Sequence, residues 1–502
     1  MEVFIVLLLG AGTLFVFYIN YLLGYWKRRG LPHDKPEFLV GNMNEWRKTK
    51  HIAEIFADTY KQYKNTGPFA GFYLLMTKSA VITDIDLVKR ILIKDFNNFD
   101  ERGLFHNDRD DPLTGNLFDT DGDKWRQLRH KLTPTFTSGK MKNMFSIVSN
   151  IGSELEAVIS EKTISAPQVL EVNEFLGRFT ADVIGVCAFG IECNSLRNPN
   201  AEFVKIGRRV FTESRHNKVV EGLMHTFPDI ARMLRMRIIP QDISDFYMRI
   251  VKDTVGYREK NNIKRNDFMD MLIDLKNRKP TRDENGKIIT GLTENDVAAQ
   301  SFVFFVAGFE TSSTTMGFAL YELAQNQDIQ DKLRREINET IKKHNNEFTY
   351  ECMKDMHYLE QVIDETLRLH PVGAHLIRKA RSHYETSDPK YYIEEGTLIV
   401  IPSLAIHHDP EFYPEPEKFK PERFSAEEIK SRPSCTWLPF GEGPRNCIGL
   451  RFGKMQACIG LTYLIKNFKF TVAKETQIPY ILDVEPLVLN AKNGIHLMVE
   501  KI

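Results

Sequence analysis

From Val3 to Trp26 the chain carries no charged residue, and only Thr13 and Asn20 mildly interrupt an apolar run. About 20 apolar residues cross a bilayer core, so this run is long enough to do so as one helix. A cleaved signal peptide would have a shorter apolar stretch and a small-residue cleavage site, and a mitochondrial presequence would be Arg-rich. Neither pattern is present, and no Lys or Arg precedes Lys27. Lys27-Arg28-Arg29 then stops transfer and places the body of the chain in the cytosol by the positive-inside rule. Gly30-Leu31-Pro32 through Pro36 reads as a stiff, extended connection. The expected organisation is a transmembrane anchor over 1–26, a basic, proline-containing linker over 27–40, and one large domain over 41–502.

That domain has the composition of a globular protein, with 42% apolar and 27% charged residues over the 502 positions. Thirty-four Phe suit a sizeable core or a greasy cavity. Basic and acidic residues balance at 67 each, so the basic excess of a nucleic-acid-binding face is missing. The six cysteines, at 187, 193, 352, 435, 447 and 458, form no C-x-x-C pair. This argues against a zinc ribbon, a cysteine-ligated iron–sulfur cluster or a disulfide scaffold. A reducing compartment is expected, with at most one cysteine carrying chemistry.

Helical periodicity dominates the body, and no internal repeat or low-complexity tract divides it. Thr293-x-x-Asp296 reads as a capping box opening a long helix that reaches about Gln325. Its charge-free part, Val297 to Phe309, is only thirteen residues and includes Gln300. It suits a helix through the centre of a large domain better than a second membrane span. Asp355 to His370 predicts another helix, with Leu359, Val362, Ile363, Thr366 and Leu367 on one face and Pro371 as the stop. Tyr391-Tyr392-Ile393 and Leu398-Ile399-Val400-Ile401 flank Glu395-Gly396 and predict a hairpin. Pro, Gly and aromatics crowd Asp409 to Pro444, which predicts irregular structure. The fold class expected is mainly α with small β-sheets, preceded by a single N-terminal transmembrane helix.

The chemistry concentrates in Phe440-Gly441-Glu442-Gly443-Pro444-Arg445-Asn446-Cys447-Ile448-Gly449. Gly441 and Gly443 let the backbone turn tightly and approach a flat ligand. They are not a dinucleotide fingerprint, because the third glycine would fall at Asn446. Arg445 supplies a cation able to offset a ligand carboxylate. A thiolate at Cys447 needs a metal, backbone N–H groups or a helix N-terminus. The helix predicted for Leu450 to Ile465 begins just beyond it. Phe440-x-x-Gly443-x-Arg445-x-Cys447-x-Gly449 resembles the haem-thiolate loop of the cytochrome P-450 superfamily at every fixed position. A lone cysteine is more often a buried core residue, and the four other identities reverse that expectation.

Further segments resemble the family in its order. Trp125-x-x-x-Arg129 is similar to the haem-propionate pair, spaced so that both side chains leave one helix face. Ala307-Gly308-Phe309-Glu310-Thr311 resembles the central oxygen-binding motif. Small Ala307 and Gly308 are expected to leave room over the iron, and Thr311 to bond back to its own helix and open a groove. Glu365-x-x-Arg368 resembles the family's Glu–Arg pair, and Pro421-Glu422-Arg423-Phe424 the segment whose arginine joins it. Buried and satisfied, that network is expected to brace the Cys447 loop. Arg378 aligns with a further propionate contact. Arg28-Arg29-Gly30-Leu31-Pro32 and Phe179-Thr180-x-Asp182-Val183-Ile184 look closest to microsomal, insect xenobiotic-type members. Asp119 and Asp121 make the approach to Trp125 more acidic than the pattern, which bears on the local substrate loop.

The resemblance implies the cytochrome P-450 fold over 41–502 and haem b (iron protoporphyrin IX), with Cys447 as axial thiolate and metal ligand. Arg445, Trp125, Arg129, Arg378, Phe440 and Gly441 are then expected around the cofactor. It implies monooxygenation: one atom of O₂ enters a hydrophobic substrate, a xenobiotic or an endogenous lipid or hormone, and the other leaves as water. Glu310 and Thr311 are expected to relay protons. No flavin or dinucleotide fingerprint is present, so electrons come from a partner. That partner is expected to be NADPH-cytochrome P-450 reductase, with cytochrome b5 as a further donor, at the endoplasmic reticulum membrane. Lys124, Arg126, Lys131, Arg451 and Lys454 are candidates to meet it. Val303 and Phe304, near the face of Ala307, are expected to wall the substrate pocket with Phe118, Val372 and Leu376, core packing being the alternative for each. Two other function classes stand beside this one. A haem-thiolate isomerase or dehydratase works without a reductase, and Glu310-Thr311 counts against it. A haem sensor or carrier would need no proton relay.

Overall fold

The computed structural model describes residues 1–282 and 288–502. The apolar run forms α1 (Glu2–Leu23), and its span Val3–Leu23 is long and apolar enough to cross a membrane. Its last turns are already docked on the body, since Ile19 and Leu23 are buried. Trp26 comes next in a short helical turn, Tyr25–Arg28, and is fully buried. A Cβ at Gly71 would lie 2.4 Å from the Trp26 ring, so the close approach requires glycine there. The indole N–H donates to Phe72 O at 3.0 Å. The expected linker is held as well: Gly71 N–H donates to Pro32 O at 2.8 Å, and His33 forms a parallel bridge with Gly71.

In chain order, the elements that place the site begin with β1 (Phe69–Leu74), β2 (Thr77–Ile82), α2 (Gly122–Leu132), α3 (Ser138–Thr163), β3 (Gln168–Glu171), α4 (Val172–Ile184) and α5 (Glu202–Thr212). Then come α6 (Glu294–Gln325), α7 (His357–Leu369), β4 (Leu376–Lys379), β5 (Leu398–Ile401), α8 (Leu450–Asn467), β6 (Phe468–Val472) and β7 (His496–Lys501). One sheet has the order β1-β2-β5-β4. Its β1 and β2 are antiparallel, β2 and β5 parallel with Ser79 opposite Leu398, and β5 and β4 antiparallel with Leu376 opposite Ile401. A second, β6-β7-β3, is antiparallel and ties the C-terminus to the segment before α4.

The hairpin expected across Glu395-Gly396 does not form. Tyr392–Ile393 pairs with Tyr384–Glu385, whereas β5 pairs with β2 and β4. Both segments are β-prone, but the inner position buries Ile399 and Ile401 completely. That removes more apolar surface from water than a local hairpin would. Asp409 to Pro444 is irregular apart from short helical turns at Pro421–Phe424 and Ala426–Ser431.

Helix α6 is the axis of the fold, about 48 Å long from its 32 residues. The capping box opens it, with Asp296 N–H donating to Thr293 Oγ1 at 3.0 Å and Thr293 N–H to Asp296 Oδ2 at 2.9 Å. Helix α4 lies close alongside, because small residues on α6 admit its side chains. A Cβ at Gly308 would meet Ile184 at 2.6 Å, and one at Gly317 would meet Asn173 Oδ1 at 1.8 Å. Gly308 therefore serves this helix contact, with Ile184 where its Cβ would lie. Thr180 Oγ1 donates to Phe309 O at 2.9 Å across the same seam.

Trp26→Ala should lower stability by about 3–5 kcal/mol, the usual cost of emptying a buried aromatic site. Phe17→Ala, on the exposed part of α1, should change it by less than about 0.5 kcal/mol in detergent. Urea midpoints followed by circular dichroism compare the two, and equal losses would contradict the docking of Trp26.

Candidate active site

The loop carrying Cys447 is folded onto itself by its backbone. Cys447 N–H donates to Phe440 O at 2.7 Å, Gly441 N–H to Leu438 O at 3.0 Å, and Asn446 N–H to Gly443 O at 3.1 Å. Gly443 has φ +73°, and a Cβ there would lie 1.9 Å from Leu92 O, so both conformation and space require glycine. Gly441, at φ +67°, leaves a shallow gap facing Leu376, whose methyls would be 3.7 Å and 3.8 Å from a Cβ. Burial pushes the Cys447 thiol up; the N–H groups of Gly449 and Leu450 at the start of α8, and the charges of Arg129 and Arg102, act the other way. Yet Cys447 is also reached by solvent. A sulfur that water touches, but whose acidity burial governs, lies in an internal space.

A buried charge network supports this loop from behind. Arg368 donates through Nε and Nη2 to both oxygens of Glu365, at 2.7 and 2.9 Å, and both side chains are fully buried. Arg423 Nε lies 3.3 Å from Glu365 Oε1, and Lys420 N–H donates to the same oxygen at 2.9 Å. Arg423 also donates to Pro414 O at 2.6 Å and Glu415 O at 2.9 Å. The link to the cysteine loop runs through His407, which no spacing or motif singled out. Arg368 Nη1 donates to His407 O at 2.9 Å, and His407 Nε2 accepts Leu438 N–H at 2.7 Å. An accepting Nε2 requires a neutral ring, and burial holds the His407 pKa far below the usual range. Trp437 adds a second tie, its indole N–H donating to Asp364 O at 3.2 Å.

Guanidinium groups gather at the front of the loop. Arg445 is buried, lies 4.6 Å over the Trp125 ring, and pairs with Asp121 at 3.0 Å. It also donates to Thr120 O at 2.5 Å and to Asp100 O. Arg378 is buried too; it donates to Ile377 O at 2.8 Å, and burial with the nearby Arg445 pushes its pKa down to about 10. Arg129 reaches Asn446 O at 2.8 Å and Asn446 Oδ1 at 2.6 Å. Arg102 joins them, held well below the usual arginine range by burial and then by Arg445 and Arg378. No pattern in the sequence marked it.

Four carboxylates, Asp100, Glu101, Asp119 and Asp121, act on this group. Asp121 is engaged by the N–H groups of Arg102 and Gly103 as well as by Arg445. Burial pushes Asp119 up to about 6, so it is partly neutral near pH 6. The acidic approach to Trp125 is thus tied into the arginine cluster. The buried Nε atoms of Arg378 and Arg445 have no hydrogen-bond partner among the described residues. A ligand bearing carboxylates would satisfy them.

Across the internal space stands α6. Ser312 to Leu320 are buried, whereas Val303, Val306, Ala307, Gly308, Glu310 and Thr311 are partly or fully open. Val303, Ala307 and Thr311 follow an i, i+4 line, so one stripe of the helix faces a void. A Cβ at Gly453, in the first turn of α8, would be 4.0 Å from Ser312 Oγ, which brings the helix after Cys447 against this part of α6. Thr311 Oγ1 donates to Ala307 O at 2.5 Å, the back-bond expected from the motif. Burial raises the Glu310 pKa, Arg208 of α5 opposes the rise, and the carboxyl accepts Asn490 Nδ2–H at 3.2 Å.

The expected pocket residues divide. Val303 and Leu376 are partly open, and Phe118 is exposed with Arg102 over its ring at 4.1 Å. Val372 is buried, and its carbonyl accepts Leu489 N–H at 3.4 Å. Phe304 turns away into a cluster with Phe136 and Phe268, with ring centroids 5.4 Å from each, and belongs to the core. At 100° per residue, i−3 lies about 60° from the Ala307 direction, whereas i−4 lies about 40° from it. Of the expected docking cations, Lys124 pairs with Asp108 at 2.6 Å and Arg126 with Asp100 at 2.7 Å. Lys454 pairs with Asp364 and Glu360.

A model described as cytochrome P450 matches residues 31–498. Probable cytochrome P450 6a23 of Drosophila melanogaster is 60% identical over 95% of this chain and 95% of its own length. Probable cytochrome P450 6a20 of the same fly is 53% identical over the whole of both chains. Cytochrome P450 6A1 of Musca domestica is 49% identical over 98% of this chain and 96% of its own.

Glu365→Gln should cost about 3–5 kcal/mol, because it leaves Arg368 buried without its counter-charge. The loss should appear as a lower denaturation midpoint and less haem bound per polypeptide; unchanged values for both would contradict the bracing role.

Proposed function

This chain belongs to the cytochrome P450 family of haem-thiolate monooxygenases, and from that premise we propose that Cys447 is the axial ligand of its haem. The observation that carries the assignment is the placement of Cys447: at the start of α8, across an internal space from the open stripe of α6, beside the arginine cluster. Arg102, Arg129, Arg378 and Arg445 would hold the propionates, with the Trp125 ring against Arg445. Phe440, Gly441 and Leu376 border the space for the flat ring. Bound haem supplies oxygen activation, the thiolate donating electron density that favours O–O cleavage, with one oxygen atom passing to the substrate and the other to water.

The chain's own residues supply position, exclusion of water and protons. Val303, Ala307 and Leu376 present an apolar wall, so a hydrophobic substrate is held without competing hydrogen bonds. Thr311 keeps its hydroxyl on the Ala307 carbonyl while idle and can redirect it to accept or donate toward the cavity. Glu310, a partly buried carboxyl whose pKa burial raises, can take a proton from solvent and pass it on. Substrates are xenobiotics or endogenous lipids and hormones that reach the site from a membrane. Electrons come from NADPH-cytochrome P450 reductase, with cytochrome b5 as a further donor. Residues 1–26 anchor the chain in the endoplasmic reticulum membrane, 27–40 lead along the body, and 41–502 form a cytosolic catalytic domain. Lys27-Arg28-Arg29 directly after α1 supports that orientation.

The reduced carbon monoxide complex should show the strongly red-shifted Soret band of thiolate-ligated haem, and Cys447→His should move it to the ordinary histidine-ligated position. Thr311→Ala should retain the red-shifted band but lower product formed per NADPH by about tenfold or more, with the difference released as hydrogen peroxide. Unchanged coupling in that variant would remove Thr311 from the reaction.

A further inference from the structure

Glu310 is held by a part of the chain that no motif marked. Residues 481–492 form a short hairpin: Leu482 bridges Ala491, Asp483 N–H donates to Asn490 O at 2.9 Å, and Lys492 N–H donates to Ile481 O at 2.8 Å. Within it, the Asn490 side-chain oxygen accepts Ala491 N–H at 2.9 Å. With that oxygen engaged, the amide NH₂ must point the other way, and it donates to Glu310 Oε1 at 3.2 Å. The one charged group acting on Glu310 from the elements around α6 is Arg208 of α5; α4, α7 and α8 contribute none among the described residues.

We propose that Asn490 is a positioning residue for Glu310, fixing the direction of its carboxyl and favouring its ionised form. Two conditions make the role specific. The Ala491 N–H settles which end of the amide faces Glu310, so the contact is a donor to a carboxylate and not an acceptor from a carboxylic acid. A donor of this kind stabilises the charged form, opposing burial in the same direction as Arg208 does. The C-terminal hairpin thereby governs the pH range in which the Glu310–Thr311 pair passes protons. This functional consequence rests on the proton-relay reading of Glu310; the contact itself does not.

The test uses the full-length, haem-loaded protein in detergent. Difference infrared spectroscopy follows the Glu310 carboxyl band against pH, the band being assigned by its loss in Glu310→Gln. Asn490→Leu keeps the size of the side chain and removes the donor. It should move the band's midpoint up by about one pH unit. The pH profile of product per NADPH should move with it, and in the Glu310→Gln background Asn490→Leu should move that profile no further. Asn490→Asp, close in shape to the native residue, should raise the midpoint at least as much, which provides a second measurement if the leucine variant does not fold. A midpoint unmoved in either folded variant overturns the proposal, as does a coupling shift that persists without Glu310. A midpoint that moves while Glu310→Gln leaves coupling unchanged upholds the Asn490 contact and overturns the relay.

Discussion

Two charges taken wholly out of water stay charged only while each keeps its partner, and Glu365 with Arg368 satisfies that condition in two parallel hydrogen bonds. The pair is the hub from which the reactive loop is positioned. Its remaining hydrogen-bonding capacity is directed to backbone: to the carbonyl of His407, and to the N–H of Lys420. Through the neutral ring of His407 it reaches Leu438, two residues before Phe440. A local i, i+3 contact on α7 is thereby converted into a constraint on a loop nearly eighty positions later. The arrangement is rigid because any loosening would strand a charge away from water.

Opposite that dry hub lies the reverse situation, a gathering of like charges. Burial depresses Arg102, Arg378 and Arg445, and the charge of Arg445 depresses Arg102 and Arg378 further. Such a cluster is costly for the chain alone. It makes sense as one half of an interaction whose other half is an anionic ligand. The same is true of the open stripe on α6, where a helix otherwise buried leaves Ala307 and Thr311 facing empty space. Stability has been given up locally on both walls of one cavity, which is how a chain prepares a binding site.

The features legible in the sequence are the local ones. The capping box at Thr293, the stop at Pro371 and the glycine-bearing cysteine loop are set by residues within a few positions, and their geometry comes from spacing alone. The hairpin at Glu395-Gly396 failed because strand pairing depends on partners outside the window, here Ser79 to Val81 and Leu376 to Lys379. The contact of Gly308 with Ile184 had no signal, since a missing Cβ does not say which neighbour it admits. Arg102 and His407 carry no local signal. Each acquires its role from groups brought together only by the fold. Phe304 shows the limit of helical arithmetic: a difference of about 20° around the axis separates a pocket wall from a core residue.

The docking of Trp26 on Gly71 bears on how the molecule sits at a lipid surface. A flexible tether would let the body tumble beneath its anchor and present any face to the bilayer. Here Gly24 alone separates α1 from the next helical turn, and the chain beyond is pinned to β1. Anchor and body therefore turn as one piece, like a mast stepped into a hull. With α1 in a bilayer, its tilt would set the height and heading of the catalytic domain.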